Sequence, residues 1–351
     1  MQVKNFILKI RWASKLYTPV ILGVLGVASA CESDQTRKQR FLLIGNEALL
    51  KQDFESAVKN FNAALEFDSC YADALNNLGT VQFRQKNYAE ALEYYNRALG
   101  CMPDFINSLF NRANTYYELN FADKALQDVS RLAELKPDSM PVYFLQGLIH
   151  TKMREYNRAK ASFRRALVLD SKNTELWINL GTVHFYARQY DSARWALQEA
   201  LIINADESNA YNALALVYAA QSDLVNAEKF IAQALLLKPG DSYYLNNRGY
   251  INLMKGELQA AVEDINQSIA NGPANAWAYR NKGIYYLKIN DAEAAIRLLK
   301  QAADMDPFVD DVFSYLAEAY WLAGNEAEAC KAVKESITRN ESRKLRLSYC
   351  K

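Results

Sequence analysis

The sequence predicts an all-α protein built from stacked helix pairs, and two features of the chain indicate this fold class. In the segment 73–103, apolar residues recur at helical spacing in two runs on either side of a polar turn at 85–87. Pro103 stops the second run. The second feature is that this pattern returns every 34 residues. Because a helix pair this short cannot bury its apolar faces alone, it needs copies of itself on either side.

Small residues occur at two fixed places in the repeat, where the two helices of a pair are expected to cross. A side chain larger than a methyl group would push the helices apart there, and such overpacking costs about 1–3 kcal/mol. The first place holds glycine or alanine, and the second holds alanine in all nine repeats. The first series is Gly45, Gly79, Ala113, Gly147, Gly181, Ala215, Gly249, Gly283 and Ala317, and the second is Ala57, Ala91, Ala125, Ala159, Ala193, Ala227, Ala261, Ala295 and Ala329.

The repeat resembles the tetratricopeptide repeat (TPR). Residues 177–181 read Trp-Ile-Asn-Leu-Gly, which corresponds to the W-x-x-L-G element of that family. Tyr116 and Tyr218 are among the residues at its first-helix aromatic position, and Pro103 is among those at its closing proline. The resemblance covers nine repeats over 38–343 and implies an all-α, right-handed superhelical solenoid of helix-turn-helix units. In a solenoid, additional length adds repeats and not domains.

Residues 1–30 form a leader outside the repeats, which we interpret as a signal peptide. Basic residues precede an apolar run over 16–30 that is short for a permanent membrane span and ends in small residues. Cys31 follows directly, which resembles the lipobox of bacterial lipoproteins, although Ala28 stands where that family usually has leucine. The resemblance implies lipidation at Cys31 and a short extended tether over 31–37. Simple secretion after cleavage before Cys31 and an uncleaved anchor are the alternatives.

The lipobox resemblance also implies a location in the cell envelope. Glu32 directly after the cysteine favours the outer membrane, with the protein facing the periplasm or the cell surface. The net charge is +1, which becomes −3 once the four basic leader residues are set aside. Nucleic-acid partners require a basic stripe, so we expect none. The basic tail over 344–351 is expected to solvate the last repeat, with contact to anionic lipid headgroups as the alternative.

The four cysteines beyond Cys31 match no zinc-binding spacing. A disulfide can join Cys70 and Cys101 in an oxidising compartment, because they end the first and second repeats. A bond between Cys330 and Cys350 is a further option. We expect free thiols at all four positions.

The sequence shows none of the usual marks of an enzyme. It has no glycine-rich phosphate loop and no nucleophile elbow, and the repeats leave no separate domain for a cofactor. His150 and His184 occupy the same position of adjacent repeats. We expect them to stack as packing substitutes for tyrosine, because the repeat offers no further metal ligands beside them. We therefore predict a non-catalytic protein without a cofactor or metal.

The TPR resemblance implies that the first helix of each repeat lines a concave groove, with positions 2, 5, 6, 9, 12 and 13 pointing into it. Asparagine stands at position 6 in five repeats, and its amide can pair with the backbone of an extended peptide of any sequence. Exposed aromatic residues are frequent binding anchors. Alternatively, the amides meet only water or a neighbour, and the rings only pack between repeats. The predicted partner-binding residues are Asn77, Asn111, Asn179, Asn247, Asn281, Phe83, Tyr117, Phe185, Tyr250 and Trp321.

The predicted function is a scaffold or adaptor in a bacterial cell envelope that binds extended, partly apolar segments of other envelope proteins. The resemblance leaves open a role in outer-membrane assembly, in secretion or pilus machinery, or in recruiting cell-wall enzymes. The competing class is a structural protein that assembles with itself. The first helix favours this alternative, because residues 41–44 and 49–50 are apolar nearly all round and homodimerisation would cover them.

Overall fold

The computed structural model describes residues 33–339, 341 and 350, and the regular structure among them is entirely α-helical. Two helices fall in each of nine repeats, which confirms the predicted fold class and the TPR-like helix pairs. The leader, Cys31 and the tail other than Cys350 lie outside the described residues, so the signal peptide and the lipid anchor stay predictions. None of the helices in the described part is long and apolar enough to cross a membrane.

The chain divides into two compact units. The N-terminal unit ends at Ser171 and the C-terminal unit begins at Lys172. Within each unit the two helices of a repeat pack against each other and against the next repeat along the chain. The N-terminal unit contains α1 (Asp34–Leu50), α2 (Phe54–Phe67), α3 (Ala72–Arg84), α4 (Tyr88–Cys101), α5 (Ile106–Glu118), α6 (Ala122–Leu135), α7 (Met140–Lys152) and α8 (Tyr156–Leu169). The C-terminal unit contains α9 (Thr174–Tyr186), α10 (Tyr190–Ile203), α11 (Ser208–Ala220), α12 (Leu224–Leu237), α13 (Ser242–Lys255), α14 (Leu258–Asn271), α15 (Ala276–Lys288), α16 (Ala292–Met305), α17 (Val312–Leu322) and α18 (Glu326–Thr338).

The small residues lie at the helix crossings, as predicted. All nine alanines of the second series are completely buried. The glycines of the first series face large side chains: a Cβ placed on Gly283 would lie 2.6 Å from Cγ of Leu299. At Ala113 and Ala317 the corresponding position of the partner helix holds the smaller Val129 and Val333, whereas at Ala215 it holds Ile231. At two of the three alanine crossings, a larger residue on the first helix is therefore matched by a smaller one on the second.

Each first helix is closed by a residue with left-handed backbone conformation at position 15 of the repeat. This conformation turns the chain into the second helix and normally favours glycine. Glycine occupies only two of the nine positions, so the other seven turns carry a steric cost. The nine residues are Gln52, Lys86, Asn120, Arg154, Arg188, Ser222, Gly256, Asn290 and Gly324.

The prediction of an extended tether over 31–37 is wrong for residues 34–37, which the structure describes as helical. Helix α1 begins at Asp34, four residues before the repeat frame, so residues 34–37 are helical. Ser33 is the N-cap, and its Oγ accepts a hydrogen bond from the backbone N–H of Thr36 at 3.2 Å. A serine in this position satisfies one of the free N–H groups of the first turn. The helix therefore starts where a capping side chain is available and not where the repeat begins.

The expectation of free thiols is also wrong. Disulfides join Cys70 to Cys101, with Cα atoms 5.5 Å apart, and Cys330 to Cys350, with Cα atoms 4.8 Å apart. Stacking of the first two repeats brings the turn after α2 against the end of α4, because residues about one repeat apart lie at the same level. Stable disulfides are typical of oxidising compartments.

Candidate binding face on the first helices

Each unit has a face formed by its first helices, which are α1, α3, α5 and α7 in the N-terminal unit and α9, α11, α13, α15 and α17 in the C-terminal unit. Within a unit, neighbouring first helices contact each other. We call the side chains at positions 2, 5, 6, 9, 12 and 13 of these helices the first-helix face of that unit, with position 1 at Lys38 and every 34 residues onward. The predicted partner-binding residues all occupy these positions.

In the N-terminal unit, asparagine amides join neighbouring repeats. Nδ2 of Asn77 donates to Oδ1 of Asn46 at 2.6 Å, and Nδ2 of Asn111 donates to Oδ1 of Asn76 at 3.0 Å. Asn76 also accepts a hydrogen bond from Oγ of Ser108 at 3.1 Å. Because each bond links the first helix of one repeat to that of the next, the amides fix how these repeats stack.

The C-terminal unit repeats this arrangement. Nδ2 of Asn247 donates to Oδ1 of Asn212 at 2.7 Å, and Nδ2 of Asn281 donates to Oδ1 of Asn246 at 2.8 Å. In both cases the asparagine at position 6 donates to the asparagine at position 5 of the preceding repeat. Asn281 is only 1% exposed, so its amide belongs to the interior of the unit.

Asn179 differs from the other predicted asparagines. Its Nδ2 donates to the backbone carbonyl of Glu175, one turn earlier in its own helix, at 2.8 Å. The bond leaves the oxygen and the second N–H of a half-buried amide for other partners. Asn179 is therefore the asparagine that can contact a ligand with the least effect on repeat stacking.

Sequence reasoning missed the asparagines that accept these bonds. Three of the four acceptors, Asn76, Asn212 and Asn246, stand at position 5, and the fourth, Asn46, stands at position 9. Asn76 and Asn246 are followed directly by a donor at position 6, which gives the doublets at 76–77 and 246–247. A doublet presents one amide toward the preceding repeat and one toward the following repeat. This signal was present in the sequence, but only the packing shows that the two amides serve different neighbours.

Two of the predicted aromatic residues lie half-buried on the first-helix face of the N-terminal unit. The ring of Phe83 packs against that of Tyr88, with centroids 5.4 Å apart. Nζ of Lys152 lies 4.3 Å from the ring centroid of Tyr117 and donates to the backbone carbonyl of that residue at 2.6 Å. Burial raises the pKa of the Tyr117 hydroxyl to about 12, so the phenol stays neutral. Both rings are held by a neighbour and retain exposed surface.

The three predicted aromatic residues of the C-terminal unit are also half-buried. Phe185 packs against Tyr190, with ring centroids 6.2 Å apart. Cζ of Arg280 lies 5.1 Å from the ring centroid of Tyr250. Trp321 packs against the core of the last two repeats. Each ring is thus rigidly supported, which lowers the entropy lost when a partner covers its exposed part.

Glu175 is a half-buried acid on the first-helix face of the C-terminal unit. Burial, and after it the negative charge of Glu207, raises the pKa of the Glu175 carboxyl to about 7. Near neutral pH the group is therefore divided between a neutral form that can donate a hydrogen bond and a charged form that only accepts.

The two histidines lie in the last turns of α7 and α9 and contact the turn that follows each helix. Nδ1 of His150 lies 2.7 Å from Oε2 of Glu155, and Nδ1 of His184 lies 2.7 Å from Oε1 of Gln189. Both imidazoles are buried and face the N-cap residue of the second helix. Among the described residues, no group of three or more His, Cys, Asp or Glu side chains is placed to hold a metal ion.

The first helix of the chain is apolar, but only part of that surface is exposed. Phe41 and Leu42 pack against the core of the first two repeats. Leu43 and Leu50 are 67% and 79% exposed. Self-assembly of the protein would cover the exposed side chains of Leu43 and Leu50.

Sequence comparisons identify the repeat. Models of the tetratricopeptide repeat match residues 72–105 and residues 144–209, 178–242 and 280–342, and a TPR repeat model matches residues 45–86. Together these matches cover more than half of the chain. No curated protein matches the sequence.

Solved structures share the fold. A tetratricopeptide repeat protein from Parabacteroides merdae is 22% identical with a TM-score of 0.63, and the alignment covers 71% of this chain and 98% of that protein. Pseudomonas aeruginosa pilF is 22% identical with a TM-score of 0.53, covering 60% of this chain and 96% of pilF. A chain of the APC/C hetero-tetramer Cut9-Hcn1 is 13% identical with a TM-score of 0.50, and the alignment covers 89% of this chain and 96% of that chain. At such identities the likeness concerns the fold alone.

Proposed function

Because the chain belongs to the tetratricopeptide repeat family, we propose that it is a non-catalytic scaffold that binds extended segments of other proteins on its first-helix face. One observation carries the proposal. Half-buried aromatic rings recur at position 12 of neighbouring first helices, at Phe83 and Tyr117 in the N-terminal unit. Rings one repeat apart and already packed on one side can each anchor an apolar side chain of a bound segment.

The chemistry of the face favours a segment that is extended and partly apolar. Phe185 supplies apolar surface, and Asn179, six residues earlier on the same helix, supplies an amide for the backbone of the ligand. The charged side chains on the face nearly cancel, which disfavours a highly charged tail. The bound segment would belong to a protein of the cell envelope, and membership of an outer-membrane assembly, secretion or pilus machinery is compatible with this chemistry.

The binding experiment compares variants of one repeat. The wild type, a Phe185→Ala/Asn179→Ala variant and a Trp195→Ala variant are used to capture partners from envelope extracts, followed by mass spectrometry. Trp195 is the matched control, because it is 50% exposed in the same repeat but lies on the second helix α10. We expect the Phe185→Ala/Asn179→Ala variant to lose partners that the wild type and the control retain. Equal capture by all three proteins would contradict binding through the first-helix face.

The proposal includes export and a lipid anchor on Cys31. The leader and the small residues before Cys31 support it, and so do the two disulfides, which require an oxidising compartment to persist. Labelled fatty acid should enter the wild type and not the Cys31→Ala variant. Equal labelling of both proteins would exclude the anchor, and an unlabelled protein released in soluble form would indicate simple secretion.

Self-assembly is the second candidate function, and the exposed side chains of Leu43 and Leu50 on α1 favour it. Light scattering after size-exclusion chromatography tests it directly. A dimer that dissociates in a Leu43→Gln/Leu50→Gln variant would support assembly through α1. A monomer at high protein concentration would exclude it and leave the scaffold proposal unchanged.

A further inference from the structure

We propose that Arg280 and Trp277 on α15 form a subsite for the carboxylate of one acidic side chain in the bound segment. The proposal deepens the scaffold function and rests on it. It names a single Asp or Glu within an otherwise partly apolar segment as the feature that the C-terminal unit recognises.

Arg280 carries a buried charge that no carboxylate compensates in the described part of the chain. The side chain is 6% exposed, and its guanidinium donates three hydrogen bonds, all to neutral oxygens. Nε and Nη2 donate to Oδ1 of Asn281 at 3.0 and 2.6 Å, and Nη1 donates to the backbone carbonyl of Asp310 at 2.9 Å. A guanidinium has five N–H groups, so two remain available. Buried charges are normally paired, and this one is not.

Trp277 supplies a second buried N–H group without an acceptor among the described residues, the indole Nε1–H. Most buried polar groups of folded proteins are hydrogen-bonded, and an indole N–H can only donate. An oxygen atom of a ligand could therefore serve as the acceptor that the indole N–H lacks.

The guanidinium of Arg280 lies over the indole ring of Trp277. Cζ of Arg280 is 4.9 Å from the ring centroid of Trp277 and 5.1 Å from that of Tyr250, so the guanidinium is packed between the rings. Both rings are half-buried on the first-helix face, at position 2 of one repeat and position 9 of the preceding repeat. Because both donors are buried, the proposal requires the half-buried Trp277 side chain to move when a ligand binds.

A carboxylate is the anion that fits this pair of donors. One oxygen can accept from the free N–H groups of Arg280 while the other accepts from Nε1 of Trp277. Its single negative charge matches the single uncompensated positive charge. A phosphate would bring up to twice that charge to a site with one cation, so we assign the site to Asp or Glu.

The experiment follows the indole N–H signals of the purified full-length protein by NMR during titration with small probes. The acidic probe is N-acetyl-glutamate α-amide, whose only carboxylate is on the side chain, and the matched neutral probe is N-acetyl-glutamine amide. The signal of Trp277 is assigned by its loss in Trp277→Phe. Trp195 on α10 serves as the internal control.

We expect saturable movement of the Trp277 signal with the acidic probe, at least about tenfold weaker binding of the neutral probe, and no movement of the Trp195 signal. Arg280→Gln should abolish the response. If that variant does not fold, Arg280→Lys keeps the charge but loses the planar fork and should weaken binding by about tenfold.

An unmoved Trp277 signal, equal binding of the two probes, or equal binding of inorganic phosphate would overturn the subsite. The probes are derivatives of a single amino acid, so this titration tests the subsite alone. The partner-capture experiment tests the scaffold function separately. A specific response to the acidic probe combined with equal partner capture by all variants would contradict the scaffold and not the subsite.

Discussion

Substitution of Gly283 by alanine tests the helix crossings on which the repeat depends. The added Cβ would lie 2.6 Å from Cγ and 2.9 Å from Cδ2 of Leu299, about 1 Å inside a normal carbon contact. Overpacking of this kind costs about 1–3 kcal/mol, and the higher helix propensity of alanine returns up to about 1 kcal/mol. We therefore expect Gly283→Ala to lower the free energy of unfolding by about 0.5–2 kcal/mol.

A second substitution at the same crossing should compensate for the added methyl group. Alanine faces valine at the corresponding positions Ala113 and Val129, so the Gly283→Ala/Leu299→Val variant should restore a natural combination. Leu299→Val alone should cost about 1 kcal/mol through lost packing. The double variant should be close to the wild type in stability, which requires a coupling energy of about 1.5–3 kcal/mol.

Hydrogen exchange of peptides from α15 and α16 is the appropriate assay, because it reports local free energies even when parts of a repeat protein unfold separately. Gly100→Ala is the control: no atom lies within 4 Å of the added Cβ, so it should stabilise α4 by about 0.5–1 kcal/mol. The reasoning is refuted if Gly283→Ala stabilises the protein as the control does, or if Leu299→Val does not rescue it.

Four further predictions follow from single contacts. Arg154→Gly should raise the free energy of unfolding by about 0.5–1 kcal/mol, because Arg154 has a φ of 59° that glycine adopts without steric cost; thermal unfolding measures it. Glu341→Gln should weaken the last repeat by about 1–2 kcal/mol, measured by hydrogen exchange of α17, because this carboxylate accepts two backbone N–H groups of the first turn of α17. Replacing Cys70 and Cys101 by serine should cost about 3–4 kcal/mol in urea unfolding, since their disulfide closes a loop of 31 residues. Glu175→Gln should raise stability at pH 8 by about 1–3 kcal/mol and leave it unchanged at pH 4.

The sign of the pH effect follows from the direction of the pKa shift. The pKa of Glu175 is about 7 in the folded protein and has an ordinary value of 4.5, so the folded state holds the proton more tightly. The stability from this proton is present below 4.5 and is lost as the pH rises to about 7. Glutamine resembles the protonated acid and removes this dependence. Parallel stability curves of wild type and variant from pH 4 to 8 would contradict the shift.

Each of the other three predictions has a clear opposing result. A lower melting temperature of Arg154→Gly would mean that the arginine side chain, not the turn conformation, determines stability there. Unchanged exchange in α17 after Glu341→Gln would show that the carboxylate does not cap that helix. An unchanged urea midpoint after loss of both Cys70 and Cys101 would show that the bond does not constrain the unfolded chain.

The repeat frame and its crossings were predictable because they depend on properties that a sequence displays directly. Volume at a crossing is set by one residue on each helix, and a residue such as Ala159 in a strict series can only be explained by close approach. The start of α1 at Asp34 was missed, because the capping serine before it lies outside the repeat and is read only from local chemistry.

The roles of the polar residues were less predictable, because they depend on what the neighbouring repeat presents. Asn281 matches the pattern of a ligand-binding amide, yet Asn246 in the preceding repeat occupies it. The bond between Cys70 and Cys101 follows from stacking, and their separation of 31 residues alone does not require it. The burial of Arg280 is likewise a property of the packed rings around it and not of its position in the repeat.

The most direct test of partner binding on the first-helix face is site-specific photo-crosslinking in the intact cell envelope. A photoreactive phenylalanine analogue is placed at Phe83, at Phe185 or, as the control, at Trp195 on the second helix α10. The account predicts crosslinked partner proteins from both first-helix positions and none from position 195. Crosslinks from Trp195 with none from Phe83 and Phe185 would contradict it.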